Sequence, residues 1–332
     1  MRTSEHRNPM KKLYGLALGT FLGVLHLGLY AQTVSDGESL FQKGKFREAR
    51  TIFEDILKKD ENNAEAHSDL GLVYLNRRNP EKDYDKAVDE TERAVELNSS
   101  NAGFQYNYGA ALGMKAQNAG IFKKAILAPK IKNAFLRAVE LNPKHTQARL
   151  GLAQYYIIAP SIMGGDEAEG WKQIDEVIKL DEFTGRTAKA GFLLNAKKND
   201  EAENEFKTLA SSKPNDWRVW HRYGYFNMRL ERYDNAVEHF KKYIELRPDT
   251  ADSYQSLAEA LLKKGNVDLA MPNINKSLSL DKEYVPAIIS LGEAYQAKGQ
   301  RKEAKETYAK ALSITQNEYY KKQAEQKLKE VE

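Results

Sequence analysis

A 34-residue step in the placement of small and large residues limits what this chain can fold into. Tyr223-Gly224, Leu257-Ala258 and Leu291-Gly292 recur at that step, followed at a constant offset by Ala236, Ala270 and Ala304. A unit of that length holds one pair of helices, which cannot bury its apolar stripe alone. Units must therefore stack and share one continuous core. The 332 residues would otherwise suggest two or three globular domains, but the period predicts one elongated, all-α domain. Its contacts run between neighbours in sequence, and its chemistry lies on an extended surface.

Each recurring residue type has a mechanical role. The small residues let two helices approach closely, and the large residues between them fill the groove at helical spacing. Gly44, Gly265 and Gly299 fall at the turn between helices, where glycine adopts positive φ without steric cost. Pro143, Pro214 and Pro248 mark repeat ends.

Laid on one repeat, these positions read Trp220, Tyr223, Gly224, Tyr233, Ala236, Phe240 and Pro248, with Asn227 where a tyrosine is usual. The next offers Tyr254, Leu257, Ala258, Leu261, Gly265, Ala270 and Ile274, and the last Leu291, Gly292, Tyr295, Gly299, Ala304, Tyr308 and Ala311. The pattern resembles the tetratricopeptide repeat (TPR) family over most of the chain. That resemblance implies a right-handed superhelical solenoid of about eight helix-turn-helix repeats.

The N-terminal half keeps the signature and loses the strict spacing. From Gly37 to Gly71 the step is 34, with Phe46, Ala49 and Phe53 marking the first repeat; Gly71 to Gly109 spans 38 and Gly109 to Gly151 spans 42. The extra residues fall in 77–84, 117–130 and 158–170, and are expected to lengthen helices or decorate a binding edge. Repeats are placed near 32–63, 64–100, 101–143, 144–182, 183–216, 217–250, 251–284 and 285–317. Residues 318–332 carry a narrow stripe of Tyr319, Tyr320, Ala324 and Leu328 among polar residues, as a solvating cap helix should.

Residues 1–31 differ in kind. Lys11-Lys12 precede the uncharged stretch Leu13 to Ala31, the pattern of a secretory signal peptide, and Met10 could serve as its start. An uncleaved N-terminal membrane anchor is the alternative, since the stretch approaches spanning length; His26 and its glycines argue against it. Both readings place the repeats outside the cytoplasm, in the periplasm or cell envelope.

Composition narrows the function classes. The formal charge of +4 contains +3 from residues 1–31, where Arg2, Arg7, Lys11 and Lys12 face Glu5, so the array itself carries +1. A nucleic-acid partner is not expected at that balance. The absence of cysteine removes disulfides and thiolate metal sites. His67, His145, His221 and His239 do not form a metal-ligand spacing, and no phosphate loop or Gly-x-Ser-x-Gly elbow occurs. No catalytic residue, metal or cofactor is expected.

In the TPR family the first helix of each repeat lines the concave face. The resemblance therefore implies that positions two, five, six, nine, twelve and thirteen face a partner, here Arg218, His221, Arg222, Tyr225, Met228 and Arg229. Arg218, Arg222, Tyr225 and Arg229 share one helical stripe, suited to an anionic or carboxylate-bearing partner. The competing reading has Glu238, Glu245 or Glu259 neutralise these arginines in surface pairs. A second patch joins Tyr106, Asn107, His145, Arg149, Tyr155 and Tyr156, with Tyr156 assigned to packing between repeats. Family members that grip a peptide C-terminus use a carboxylate clamp, of which only Asn107 and Arg149 match. His145, Ser68 and Leu72 stand where Lys, Lys and Asn are required.

The expected function is a noncatalytic interaction scaffold of the cell envelope, binding a protein or extended peptide along the concave groove. The alternative is an envelope carbohydrate-active enzyme, or its substrate-binding subunit, with acidic and tyrosyl groups spread over several repeats.

Overall fold

The computed structural model describes residues 33–315 and 317–331. The stretch read as a signal peptide lies outside them. The described residues form seventeen α-helices, with no strand among them. Eight helix pairs follow one another: α1 (Val34–Gln42) with α2 (Phe46–Lys59), α3 (Ala64–Leu75) with α4 (Tyr84–Leu97), α5 (Ala102–Gln117) with α6 (Ile121–Leu141), and α7 (Thr146–Ile158) with α8 (Glu167–Leu180). Then come α9 (Glu182–Asn195) with α10 (Asn199–Ser212), α11 (Trp217–Arg229) with α12 (Tyr233–Leu246), α13 (Ala251–Lys263) with α14 (Val267–Leu280), and α15 (Val285–Ala297) with α16 (Arg301–Ile314). Helix α17 (Glu318–Val331) closes the array.

Local chemistry sets where the helices begin. Most first helices start at side-chain caps, α13 and α15 excepted: Asn63, Asn101, Asp181 and Asp216 each accept hydrogen bonds from backbone N–H groups of the opening turn. Most second helices lack such a cap and instead follow a tight turn through a left-handed residue. Gly44, Gly265 and Gly299 hold that position, as expected, but Lys197 and Glu231 hold it in two other repeats, with φ of 61° and 58°. Where extra residues separate the pair, side-chain caps return, at Asp83 for α4 and Asp166 for α8.

Packing follows the small-residue register. The fourth residue of the second helix is fully buried as Ala49, Ala87, Ala202, Ala236, Ala270 and Ala304. A ring or branched side chain sits buried one turn further on at Phe53, Phe240, Ile274 and Tyr308. Among the described residues, every helix pair with more than marginal contact lies one or two places apart in the chain. The buried residues consequently divide into four clusters instead of the single core expected: one through α1–α7, one centred on α9–α11, one through α11–α15 and one against α17. Packing dominated by chain neighbours permits such segmentation.

Curvature is visible in which helices meet. First helices touch each other across repeats, α1 with α3, α3 with α5, α5 with α7, α11 with α13 and α13 with α15, whereas among the described residues no pair of successive second helices makes more than marginal contact. The first helices therefore form the inner, concave face.

The second insertion lengthens helices. Every other second helix runs 14 residues and α6 runs 21, so its first two turns extend past the helices beside it. The third insertion contains a short 3-10 turn, Ser161–Met163.

Candidate functional site: the inner face of the array

The inner face of the last three repeats holds one candidate site. There α11, α13, α15 and the cap α17 border a pocket of ≈ 370 Å³. Positions two, five, nine and thirteen of the seventh repeat supply Asp252, Gln255, Glu259 and Lys263, and the same register of the eighth supplies Pro286, Ile289 and Glu293. Tyr225, Tyr284, Tyr319 and Tyr320 add aromatic walls. Helix α17 thus does more than solvate the end: Ala324 and Val331 seal the core while its first turn borders the pocket.

The pocket is a network of phenols on carboxylates. Tyr243 and Tyr284 each donate to Asp252 at 2.8 Å, and Tyr225 donates to Glu259 at 3.2 Å while lying 3.2 Å from Ser256 Oγ. His221 Nε2 sits 3.4 Å from Asp252 and its ring packs edge-on to Tyr225 and Tyr243. Burial depresses the His221 imidazole below its ordinary range, against the pull of Asp252. Burial also raises Glu259, and it raises the Tyr225 and Tyr284 phenols, with the nearby carboxylates adding to the effect. Glu293 is paired with Lys327 of α17 at 3.3 Å.

The arginine stripe on α11 meets different partners from those expected. Arg218 folds back on Asp216, with contacts of 2.6–3.1 Å, and its guanidinium lies 4.4 Å from the Phe183 ring. Arg229 donates to Asn195 at 3.0 Å. Glu245 is taken by Lys242, and Glu259 by Tyr225, so neither neutralises the stripe. Arg222 is exposed, and no hydrogen bond or ion pair engages it among the described residues. Tyr225 leaves the stripe for the carboxylate network.

In the earlier repeats, Asn107 donates to Ser68 Oγ at 2.9 Å, and Arg149 donates to Gln173 at 2.7 Å and to the Pro143 carbonyl at 2.8 Å. His145 caps α7 by accepting from the Ala148 N–H and packs against Tyr106. Tyr155 is buried, with its hydroxyl donated to the Met163 carbonyl. Tyr106 and Tyr155 border a larger, apolar cleft of ≈ 770 Å³ between α5, α6 and α7, where Lys124 is the one charged lining residue. Beside it the overhanging turns of α6 expose Ile121, Phe122 and Ile126, and the 3-10 turn exposes Ile162.

Sequence reasoning missed Asp252, Glu259, Tyr284 and Glu293 as site residues. The signal was present, because the concave register used for the sixth repeat lands on Asp252, Glu259 and Glu293 when moved forward by one and two periods of 34. Tyr284 and Tyr320 carried no such signal, since they precede α15 and sit on the cap.

Comparison with known proteins agrees with this architecture. Tetratricopeptide repeat profiles match residues 36–102 and, separately, 218–250, 251–284 and 285–318, together about half the chain. The chain belongs to the tetratricopeptide repeat family, whose arrays serve as protein–protein interaction scaffolds. Superkiller complex protein 3 of Homo sapiens is 24% identical over 228 residues, covering 67% of this chain and 14% of that protein. Its Mus musculus counterpart is 24% identical over 238 residues, covering 70% and 14%. The chain thus spans only a small part of the length of the curated relatives it matches. The crystal structure of yeast Tom70 superposes with a TM-score of 0.62 at 17% identity, covering 89% of this chain and 59% of that one, a likeness of fold.

Proposed function

We propose that this chain is a noncatalytic scaffold exported to the cell envelope, holding a protein or extended peptide along the inner face of its first helices. The observation that carries the reading is the convergence of α11, α13 and α15 with the cap on one open pocket, in the register that repeats along the array. An extended partner crossing several repeats would meet tyrosine anchors at Tyr106 and Tyr284, which bury much area with few rotatable bonds. Arg222 offers its free guanidinium to a carboxylate of that partner. Lys11-Lys12 followed by Leu13 to Ala31 supports export.

Photo-crosslinking residues placed at Tyr106 and Arg222 in the full chain test the reading in cells. Protein adducts in the envelope fraction, weakened by Arg222→Glu at a site other than the crosslinker, are expected. Recovery of an unprocessed chain solely in the cytosol would remove the location. Turnover of an envelope polymer by the purified protein, lost on a point substitution in the pocket, would replace the scaffold with an enzyme.

A further inference from the structure

The pocket of the last three repeats is opposite in sign to the arginine stripe. Asp252 and Glu259 lie in it with no lysine or arginine within ion-pair distance; phenols are their donors. His221 is the basic group nearest Asp252, and its burial keeps it neutral at neutral pH. Of the lysines facing this network, Lys327 is committed to Glu293 and Glu330. Lys263 lines the pocket without reaching ion-pair distance of either free carboxylate.

Gln255 adds an unpaired acceptor at the pocket wall. It lines the same pocket at 4% exposure and donates its amide to Ser290 Oγ at 2.8 Å, leaving its carbonyl oxygen with no donor. A buried acceptor without a partner costs on the order of 1–3 kcal/mol. The oxygen itself is buried behind the pocket wall, so a guest carrying N–H groups satisfies it only when the Gln255 side chain turns toward the cavity it lines. A bare metal ion is a poor guest, because no group of three carboxylate or imidazole side chains among the described residues converges tightly enough to hold one.

From this arrangement we infer that the pocket receives an organic cation, an alkylammonium or guanidinium group such as a partner's lysine or arginine side chain. The donors of the cation meet Asp252 and Glu259, with the Gln255 carbonyl joining when its side chain turns inward, and the Tyr284 and Tyr320 rings wall the charge as aromatic faces do. The volume of ≈ 370 Å³ admits such a side chain and falls within the range of roughly 300–1,000 Å³ typical of small-ligand sites. The buried carboxyl of Glu259, held above its ordinary range, is the group a docked cation would stabilise in its charged form. The inference deepens the scaffold reading. It rests on that reading for the source of the cation and on the pocket for its sign.

Titration calorimetry of the purified full chain tests it with Nα-acetyl-arginine methylamide, Nα-acetyl-lysine methylamide and pentylamine, against neutral Nα-acetyl-norleucine methylamide. The cationic probes should bind at least about tenfold tighter than the norleucine amide. Asp252→Asn and Glu259→Gln should each weaken them about fivefold or more, with the circular dichroism spectrum retained. Should Asp252→Asn fail to fold, Glu259→Gln and Tyr320→Leu carry the same expectation. The Gln255 side-chain amide resonance should move with saturation. Binding of the amino-acid amides assigns the cation to a peptide, and binding of pentylamine alone assigns it to a free amine; either supports the cation preference. An equal response to the norleucine amide, or one unchanged in both carboxylate variants, overturns it. Loss of the cation preference while envelope crosslinks persist would leave the scaffold standing, and the converse would leave a small-amine site without a scaffold.

Discussion

The Cα of Gly224 lies so close to the Phe240 ring that a Cβ there would fall 2.3 Å from it. The same relation recurs at Gly292 and Tyr308, at 2.4 Å, whereas the seventh repeat pairs Ala258 with Ile274 in its core. In these two repeats the ring on the second helix takes the space that a first-helix methyl would fill. Gly224→Ala should destabilise the array by about 1–2 kcal/mol, toward the low end for overpacking because the fifth repeat already accommodates Ala190 in the same cluster as Phe206. Adding Phe240→Ile should recover part of the loss, by copying the seventh repeat. Urea midpoints of both variants check this, and a double variant less stable than Gly224→Ala would refute the compensation.

Glu231 occupies a turn position that glycine holds one and two repeats later, with φ of 58° against 83° at Gly265 and 74° at Gly299. A side chain in the left-handed region costs about 1–2 kcal/mol, from which the greater chain entropy of glycine must be subtracted. Glu231→Gly should therefore stabilise by about 0.5–1 kcal/mol, read as a higher thermal midpoint.

Asp69, on the inner side of α3, has its carboxyl pushed up to about 7 by burial, with Glu38 and Glu65 adding to the effect. The native state then holds a proton that the unfolded chain releases near 3.8. The stability tied to it is full below the unfolded value and is lost as pH rises through about 7. Asp69→Asn, which mimics the protonated form, should exceed the parent by about 1–3 kcal/mol at pH 8, after allowance for partial exposure. The difference should vanish near pH 4. Denaturant midpoints at the two pH values decide it.

Phe122 is 85% exposed and Ile162 94% exposed. Neither contributes to the core, so Phe122→Ser and Ile162→Ser should change stability by no more than about 0.5 kcal/mol. Retention on a hydrophobic column should fall for both. A large drop in the unfolding midpoint would show that these side chains are packed in solution.

Much of the fold was legible in the residues because repeat packing is local. Gly224, Ala236 and Phe240 bury against one another within a single period, so spacing alone placed them, and Gly265 and Gly299 marked their turns. The insertion at 117–130 was legible as extra length. That it would become two unsupported turns of α6 was not, since Ile121, Phe122 and Ile126 read equally well as core residues until neighbouring helices are seen to stop short of them.

The candidate site divides in the same way. The concave register pointed to the faces of the first helices; Tyr225 lines the pocket, His221 packs beside Asp252, and Arg222 is exposed. What each arginine meets depends on groups outside that register: Asp216 at the cap for Arg218, and Asn195 on the preceding repeat for Arg229.

Sequence by itself determined the helix pairs, their stacking order and the family, because each follows from residues at most one period apart. Only the tertiary structure decided the sign of the inner face in the last repeats. Asp252, Glu259, Tyr284 and Tyr320 come from four separate segments, and their chemistry exists only once the curvature of the array and the seating of α17 bring them to one pocket.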